Sequence, residues 1–335
     1  MQNPPCPYCI SSARVIKKGY FYRKNHEQSR SQRYFCYACG RNFSSGTGTV
    51  SYRQIRPELD RHLFYLLISG TSQRRSARLL ETTQTTVAYK MVRLAGFARQ
   101  HHQRFLELIA PVSVVQFDDM ETFEHTKCKP VSITVAVEED SRFIIAAEAS
   151  QMPPKGRLVH IARRRYGYRR DKRKKALRKV LQIVSAFGAE RLLLKSDKCP
   201  RYPKAVRQWV PRAVHEVHKS RRACVVGQGE LKRGGFDPLF SLNHTCAMFR
   251  DNLKRLSRRT WCTTKEVDRL QCLLDLYTSY HNEWILAHWG RRGRRGRRDR
   301  RLVLANAGSY PKRWNDGFQE LLQAAPRQLT AGAAG

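Results

Sequence analysis

Two Cys-x-x-Cys pairs, Cys6-Pro-Tyr-Cys9 and Cys36-Tyr-Ala-Cys39, constrain the start of this chain more than any other feature. Zn2+ takes four soft ligands in a tetrahedron, and each tight Cys-x-x-Cys turn presents two thiolates from one knuckle. Residues 1–50 are rich in Cys, Gly, Ser and aromatics and lack helical periodicity, which suits short strands joined by turns. Tyr34, Phe35, Tyr37 and Phe43 surround the second pair and are expected to pack a small zinc ribbon. Its core would be too thin to fold without the metal. Four cysteines close the coordination shell, so Cys6, Cys9, Cys36 and Cys39 are read as a structural site, not a catalytic one. The remaining cysteines, Cys128, Cys199, Cys224, Cys246, Cys262 and Cys272, are scattered singly and read as small buried apolar residues. The opening segment has no charged stretch followed by an apolar one, so a cytoplasmic setting without a disulfide framework is expected.

Charge narrows the partner. Lys and Arg number 64 against 27 Asp and Glu, leaving a formal charge of +37. Nucleic acid answers such a surplus, because every phosphate neutralised releases counterions. No apolar run reaches the roughly 18 residues of a membrane span and no long basic amphipathic helix stands out, so no membrane partner is expected. A hydrophobic fraction of 41% excludes a wholly disordered chain. The length fits two or three domains of about 100–200 residues each.

Periodicity changes along the chain. Leu59, Leu63, Leu66 and Leu67, then Ala77, Leu79 and Leu80, then Val87, Met91, Leu94 and Ala95 predict three short helices, broken at 70–72 and 82–84. Thr82 or Thr83 is the expected N-cap of the third. That helix is expected to expose Thr85, Thr86, Tyr89, Lys90 and Arg93, as a helix-turn-helix offers one helix to the major groove. A plain three-helix bundle is the alternative. Past Pro111, β-branched and apolar runs predict strands at 112–118, 131–137, 143–149, 192–194 and 213–217. Helices are expected at 171–187, around 202–209, at about 241–259 and at about 264–284. Between them, 151–170 reads as a loop in which Arg163, Arg164, Arg165, Tyr166, Tyr168, Arg169 and Arg170 either track a phosphate backbone or form a solvated charge run. The element order is that of a ribonuclease-H-like mixed sheet with helices on both faces. The expected fold class is therefore multi-domain α/β: zinc ribbon at 1–50, helix-turn-helix at 51–108, ribonuclease-H-like mixed-sheet catalytic domain at 111–285. A basic, disordered tail carrying an Arg-Gly run follows at 286–335.

Two acids end apolar strands: Asp118, in Phe117-Asp118-Asp119, and Asp197, after Leu192-Leu193-Leu194-Lys195-Ser196. In a ribonuclease-H-like sheet the first and fourth strands are parallel neighbours, which brings both acids to the same end. Paired carboxylates repel, and Mg2+ or Mn2+ relieves them. Acids that merely cap turns are the plainer alternative. His215 and His218 read as hydrogen-bonded structure, and Trp209, Trp261 and Trp284 as core.

Taken together, the cysteine pairs, the helix-turn-helix, Asp118, Asp197, and the stretch from Leu242-Asn243-His244 through Arg250 to the RLSRRTWC segment ending at Cys262 resemble transposases of small bacterial insertion sequences, of the insertion-sequence-one type. The resemblance covers about 1–285. It implies binding to the terminal inverted repeats of an element, and a DDE-type site whose metal ions promote cleavage at the element end and transfer of the freed 3′-hydroxyl to target DNA. It also implies a homodimer or higher oligomer acting on double-stranded DNA. Matched motif to motif, Asp118 is the first acid, Asp197 the second, and Asn243 stands where the family has its third. An amide oxygen coordinates a hard cation without bringing charge. Asp237, Glu230 and Asp251 are the carboxylates that would substitute. Arg250, Lys254 and Arg258, with Arg255 and Arg259, are expected to hold phosphates along the late helix, or else to form a solvated basic face. The rivals are a non-catalytic DNA-binding regulator, a decayed transposase, and a structure-specific nuclease of the same fold.

Overall fold

A computed structural model describes residues 3–11, 14–22, 30–50, 52–109, 111–219, 237–257 and 260–289. Cys224, Glu230, Arg258, Arg259 and the basic tail beyond 289 lie outside them. The chain forms two compact units that divide between Asp60 and Arg61.

The first unit is an antiparallel sheet of β1 (Val15–Tyr22), β2 (Arg30–Cys36) and β3 (Arg41–Ser44), in that order. Strand alternation turns Tyr34 and Cys36 inward, where they join Cys6, Val15 and Phe43 in a small core. Tyr34 stacks on Phe43 with ring centroids 5.1 Å apart. The same alternation corrects the expectation for the other two aromatics. Tyr37 is exposed and Phe35 half-buried; they meet edge-on outside the core.

The second unit takes in α1 (Leu59–Ile68, whose first two residues precede the division), α2 (Gln73–Leu79) and α3 (Gln84–Leu108). Ser72 caps α2 by accepting the Arg75 N–H at 3.3 Å, and Thr83 caps α3 by accepting the Thr86 N–H at 3.1 Å. At 25 residues, α3 outruns the short helix expected. Val87, Met91, Leu94 and Ala98 are buried along its inner face, and its last turns carry Phe105 and Leu106 into the core of the sheet.

That sheet contains β4 (Val112–Phe123), β5 (Pro130–Glu138), β6 (Ile144–Gln151), β7 (Gly188–Asp197) and β8 (Val214–His218), ordered β6-β5-β4-β7-β8. β4, β5 and β6 form an antiparallel meander, while β7 lies parallel to β4 and β8 parallel to β7. On one side α5 (Arg173–Phe187) and α6 (Arg201–Trp209) bury Leu177, Val180, Leu181, Tyr202 and Val206 against Phe117, Phe143, Ile145 and Leu194. α7 (Phe240–Asn252) packs on β4 and β5, and α8 (Val267–Trp289) on β6 and along α3.

β6 is an edge strand, and an open edge invites pairing with another chain. Here α8 closes it with side-chain amides. Asn282 donates to the Ile144 carbonyl and accepts the Ile144 N–H, both at 2.9 Å. Gln271 donates to the Ala147 carbonyl at 2.9 Å and accepts the Ala149 N–H at 2.8 Å. Two histidines complete the seam: the Nε2 of His102 donates to the Ile145 carbonyl at 2.9 Å, and that of His281 to the Arg142 carbonyl at 3.0 Å. Burial lowers the pKa of both rings, that of His281 to about 4, so each is neutral at pH 7.

The chain departs from expectation in further places, and β4 and β7 run beyond the expected 112–118 and 192–194. The expected loop at 151–170 contains α4 (Leu158–Tyr166). The expected helix at 241–259 stops at Asn252, because Leu253 adopts an extended conformation and Lys254–Leu256 forms a 3-10 turn; Leu253 and Leu256 are both buried. The last helix continues to Trp289. Trp261 is fully exposed, not core, because the Thr260 hydroxyl accepts the Cys262 N–H and closes a tight turn with Trp261 at its tip. Trp209 packs against the core as expected, and the Trp284 side chain lies outside the described residues. No described helix is long and apolar enough to cross a membrane.

Candidate metal centre and candidate active site

All four sulfurs of Cys6, Cys9, Cys36 and Cys39 lie within 4.8 Å of one another. Cys6 and Cys39 approach to 3.6 Å, Cys9 and Cys36 to 3.5 Å. A tetrahedron with Zn–S bonds of about 2.3 Å has edges of about 3.8 Å, so this group fits zinc. The two knuckles are built alike. The Ile10 N–H closes on the Cys6 carbonyl and the Gly40 N–H on the Cys36 carbonyl, each at 2.8 Å. Both turns need a left-handed residue after the second cysteine, with φ of 63° at Ile10 and 66° at Gly40. Glycine takes that conformation freely, whereas a β-branched side chain is strained in it. Among the described residues, this is the one gathering of three or more His, Cys, Asp or Glu ligand atoms.

The candidate carboxylates are set by strand register. Gln116 on β4 pairs with Lys195 on β7; two residues further along each parallel strand stand Asp118 and Asp197. Gln116 turns its amide toward the start of α7, donating to the Pro238 carbonyl and accepting the Leu242 N–H, both at 3.0 Å. Asp118, two residues on, shares that face of the strand. On α7, Cys246 lies in its field: burial pushes that thiol up to about 12, Arg250 opposes the rise, and the Asp118 charge adds to it more weakly.

Burial first, and then the negative charge of Asp197, raise the Asp118 carboxyl to about 6. One of its oxygens, Oδ1, accepts the Asp119 N–H at 2.6 Å and the Tyr202 hydroxyl at 3.0 Å. Asp197 Oδ1 accepts the Cys199 N–H at 2.9 Å. Among the described residues neither acid's Oδ2 receives a hydrogen bond. Paired carboxylates with an open oxygen each are the donor set a hard divalent cation takes.

Tyr202 and its neighbour Arg201 carry no sequence signal of their role, yet the first turn of α6 holds both adjacent acids of β4. Arg201 pairs with Asp119 Oδ2 at 2.7 Å, while Thr134 donates to Asp119 Oδ1 at 2.5 Å. Burial, then Asp119 and Asp118, raise the Tyr202 phenol far above its ordinary range, so it stays a donor. His218 is the register partner of Asp197 on β8. His215 bonds the Ser196 hydroxyl at 2.8 Å, a structural role as expected.

Asn243 lies exposed on α7 and donates from Nδ2 to Asp237 Oδ2 at 2.8 Å. Asp237 Oδ1 accepts the Leu239 N–H at 3.0 Å at the start of the helix. Two of the residues considered for a third ligand are therefore tied to each other. Arg250 is on α7, but the break at Leu253 puts exposed Lys254 in the 3-10 turn, off the helical row that would have continued from Arg250.

On α3, Thr85 and Tyr89 are exposed, and Arg93 lies over the Phe97 ring. Thr86 spends its hydroxyl on Thr83, 2.9 Å away. Lys90 departs from the expected exposed face, being only 2% exposed. Positions 87, 90, 91 and 94 repeat as an inward helical stripe, and Lys90 falls between Val87 and Leu94 on it.

No protein-family model and no curated protein matches the sequence. Among solved structures, the chain is similar to the crystal structure of the Mos1 strand transfer complex, with 13% identity and a TM-score of 0.25 over 79% of this chain and 75% of that one. A score this low assigns no fold.

Proposed function

We propose that this protein is a DNA transposase whose Asp118 and Asp197 form the centre of a DDE-type phosphoryl-transfer site. The observation that carries the proposal is the β4–β7 register beside those two acids, together with the lift of Asp118 by Asp197. The strand order β6-β5-β4-β7-β8, antiparallel on one side of β4 and parallel on the other, supports reading 111–285 as a ribonuclease-H-like catalytic domain. Residues 1–50 and 51–108 are then the zinc ribbon and the helix-turn-helix that grip the element ends.

Mg2+ or Mn2+ held by Asp118 and Asp197, with the Asn243 amide oxygen as third donor, would supply an activated water or 3′-hydroxyl and neutralise charge on the phosphate. The chain's own residues do the positioning. Tyr202 and the Asp119 N–H fix one oxygen of Asp118 and leave the other without a hydrogen bond among the described residues. Arg201, locked on Asp119, keeps α6 from swinging away from β4. Arg250 brings a fixed cation to the α7 side, where a phosphate enters. Thr85, Thr86, Tyr89 and Arg93 meet the major groove. Paired inverted repeats call for a homodimer or higher assembly.

One observation favours a second reading. Asn243 is neutral and already engaged by Asp237, as expected of a DNA-binding regulator derived from such an enzyme. Purified protein with Mg2+ or Mn2+ and DNA carrying the terminal repeats separates the two. The transposase nicks it, and Asp118→Ala or Asp197→Ala abolishes nicking without weakening binding. Nicking that survives both changes rejects the site, and wild-type binding without nicking selects the regulator.

A further inference from the structure

We infer that the outer face of α5, with the groove between it and β6, is a separate surface that binds duplex DNA through its phosphates. The inference rests on DNA being the partner, and not on the carboxylate site.

Residues 163–179 hold eleven Lys and Arg and a single acid, Asp171. That acid is consumed locally, accepting from the Arg173 guanidinium at 2.9 and 2.5 Å. Lys179 is likewise committed, to Glu148 at 2.7 Å. Lys172, Lys174, Lys175 and Arg178 are exposed and make no ion pair among the described residues. Because α5 buries Ala176, Leu177, Val180, Leu181 and Val184, its cations apart from half-buried Arg173 are exposed on the opposite face. A groove of about 420 Å³ runs beside it, lined by Lys172 just before α5, by Lys175, Arg178 and Lys179 on it, by the β6 segment 148–151, and by Asp268.

The placement of these charges is unfavourable for the helix alone. Arg173, Lys174 and Lys175 fill the first turn, and against these three cations stands one acid just before the helix, Asp171, whose Oδ1 accepts the Arg173 N–H at 3.0 Å. The N-terminal end of a helix is the positive end of its dipole and attracts anions. Cations crowded there repel it and one another, and a polyanion laid across them relieves both. The spacing suits a nucleic-acid strand. From Lys172 to Lys179 is roughly 10 Å of helix axis, over which one strand of B-DNA presents about three phosphates. A membrane is disfavoured, since no large apolar side chain of α5 is exposed on this face to enter a bilayer.

The test uses the full zinc-loaded chain and a random-sequence duplex without terminal repeats. Each cation lost from a phosphate contact lowers the salt dependence of binding by about 0.9 in the log–log slope. The variant K174Q/K175Q/R178Q should therefore bind more weakly, with the slope reduced by about 2 to 3. If the triple variant fails to fold by circular dichroism, K174Q alone should still lower the slope by about 0.9. An unchanged slope overturns the inference. So does wild-type protein that prefers duplex RNA or phosphatidylserine vesicles to DNA and loses that binding in the variant. Absence of nicking would sink the transposase reading and leave this result standing.

Discussion

Replacing Asp118 by Asn separates what this side chain costs the fold from what it does for a ligand. The amide keeps an oxygen for the Asp119 N–H and the Tyr202 hydroxyl, so the change removes charge and little else. The carboxyl ionises at about 6 in the folded chain instead of 3.8. At 1.36 kcal/mol for each tenfold change, holding it ionised costs the fold up to ~3 kcal/mol. Below about pH 4 the acid is protonated in both states and nothing is lost. As pH rises from there through about 6, the unfolded chain gives up its proton first, and the folded state loses stability relative to it. Asp118→Asn should therefore match the wild type near pH 4 and exceed it at pH 8, by ~6–12 °C in melting temperature for a unit of this size. Mg2+ or Mn2+ should close the gap at pH 8 by stabilising the wild type alone, by about 2.7 kcal/mol at a hundredfold excess over Kd. Thermal melts of both proteins at the two pH values, with and without the ion, are sufficient. Equal stability at pH 8, or the same gain at both pH values, would refute the burial and the pairing with Asp197 together.

Other perturbations probe the scaffold. Removing zinc with a chelator should unfold roughly the first 50 residues, since structural zinc contributes on the order of 10 kcal/mol to such small units; unaltered protease resistance there would contradict the tetrahedral site. Asn282→Ala strands the buried N–H and C=O of Ile144 and should cost about 2–5 kcal/mol, with faster hydrogen exchange at the Ile144 amide as the specific mark. Gly96 lies inside α3 with open space where a Cβ would stand; Gly96→Ala should add about 0.5–1 kcal/mol by urea denaturation, and a loss would mean the helix needs flexibility there.

Where one local rule fixed an element, the sequence announced it. The paired cysteines come together because two tight turns leave their sulfurs no other arrangement, and Thr83 begins α3 because its hydroxyl satisfies an otherwise orphaned N–H. Asp118 and Asp197 were legible through the apolar runs that precede them. What escaped notice depends on contacts between distant segments. Tyr202 looks like any aromatic on an amphipathic helix until α6 lies across β4. Lys90 was assigned by its chemistry to a surface that helical phase denies it. α4 hid in a cation-rich stretch with one buried residue, Ala162, too little apolar signal to betray a helix. The third ligand stays a proposal because Asn243 and Asp237 hold each other.

The length of α3 has a geometric consequence. Tyr89 and Phe105 stand sixteen residues apart on one helix, about 24 Å of axis, and Phe105 shares a core with Phe117, the neighbour of Asp118. In the proposed reading, the helix is a ruler between the bases recognised and the bond cut. Shifting the recognised bases by one pair moves them about 3.4 Å along the duplex and about 35° around it. A ruler without a joint cannot follow, so the cleavage position should be set by spacing alone and should tolerate neither insertion nor deletion between the two.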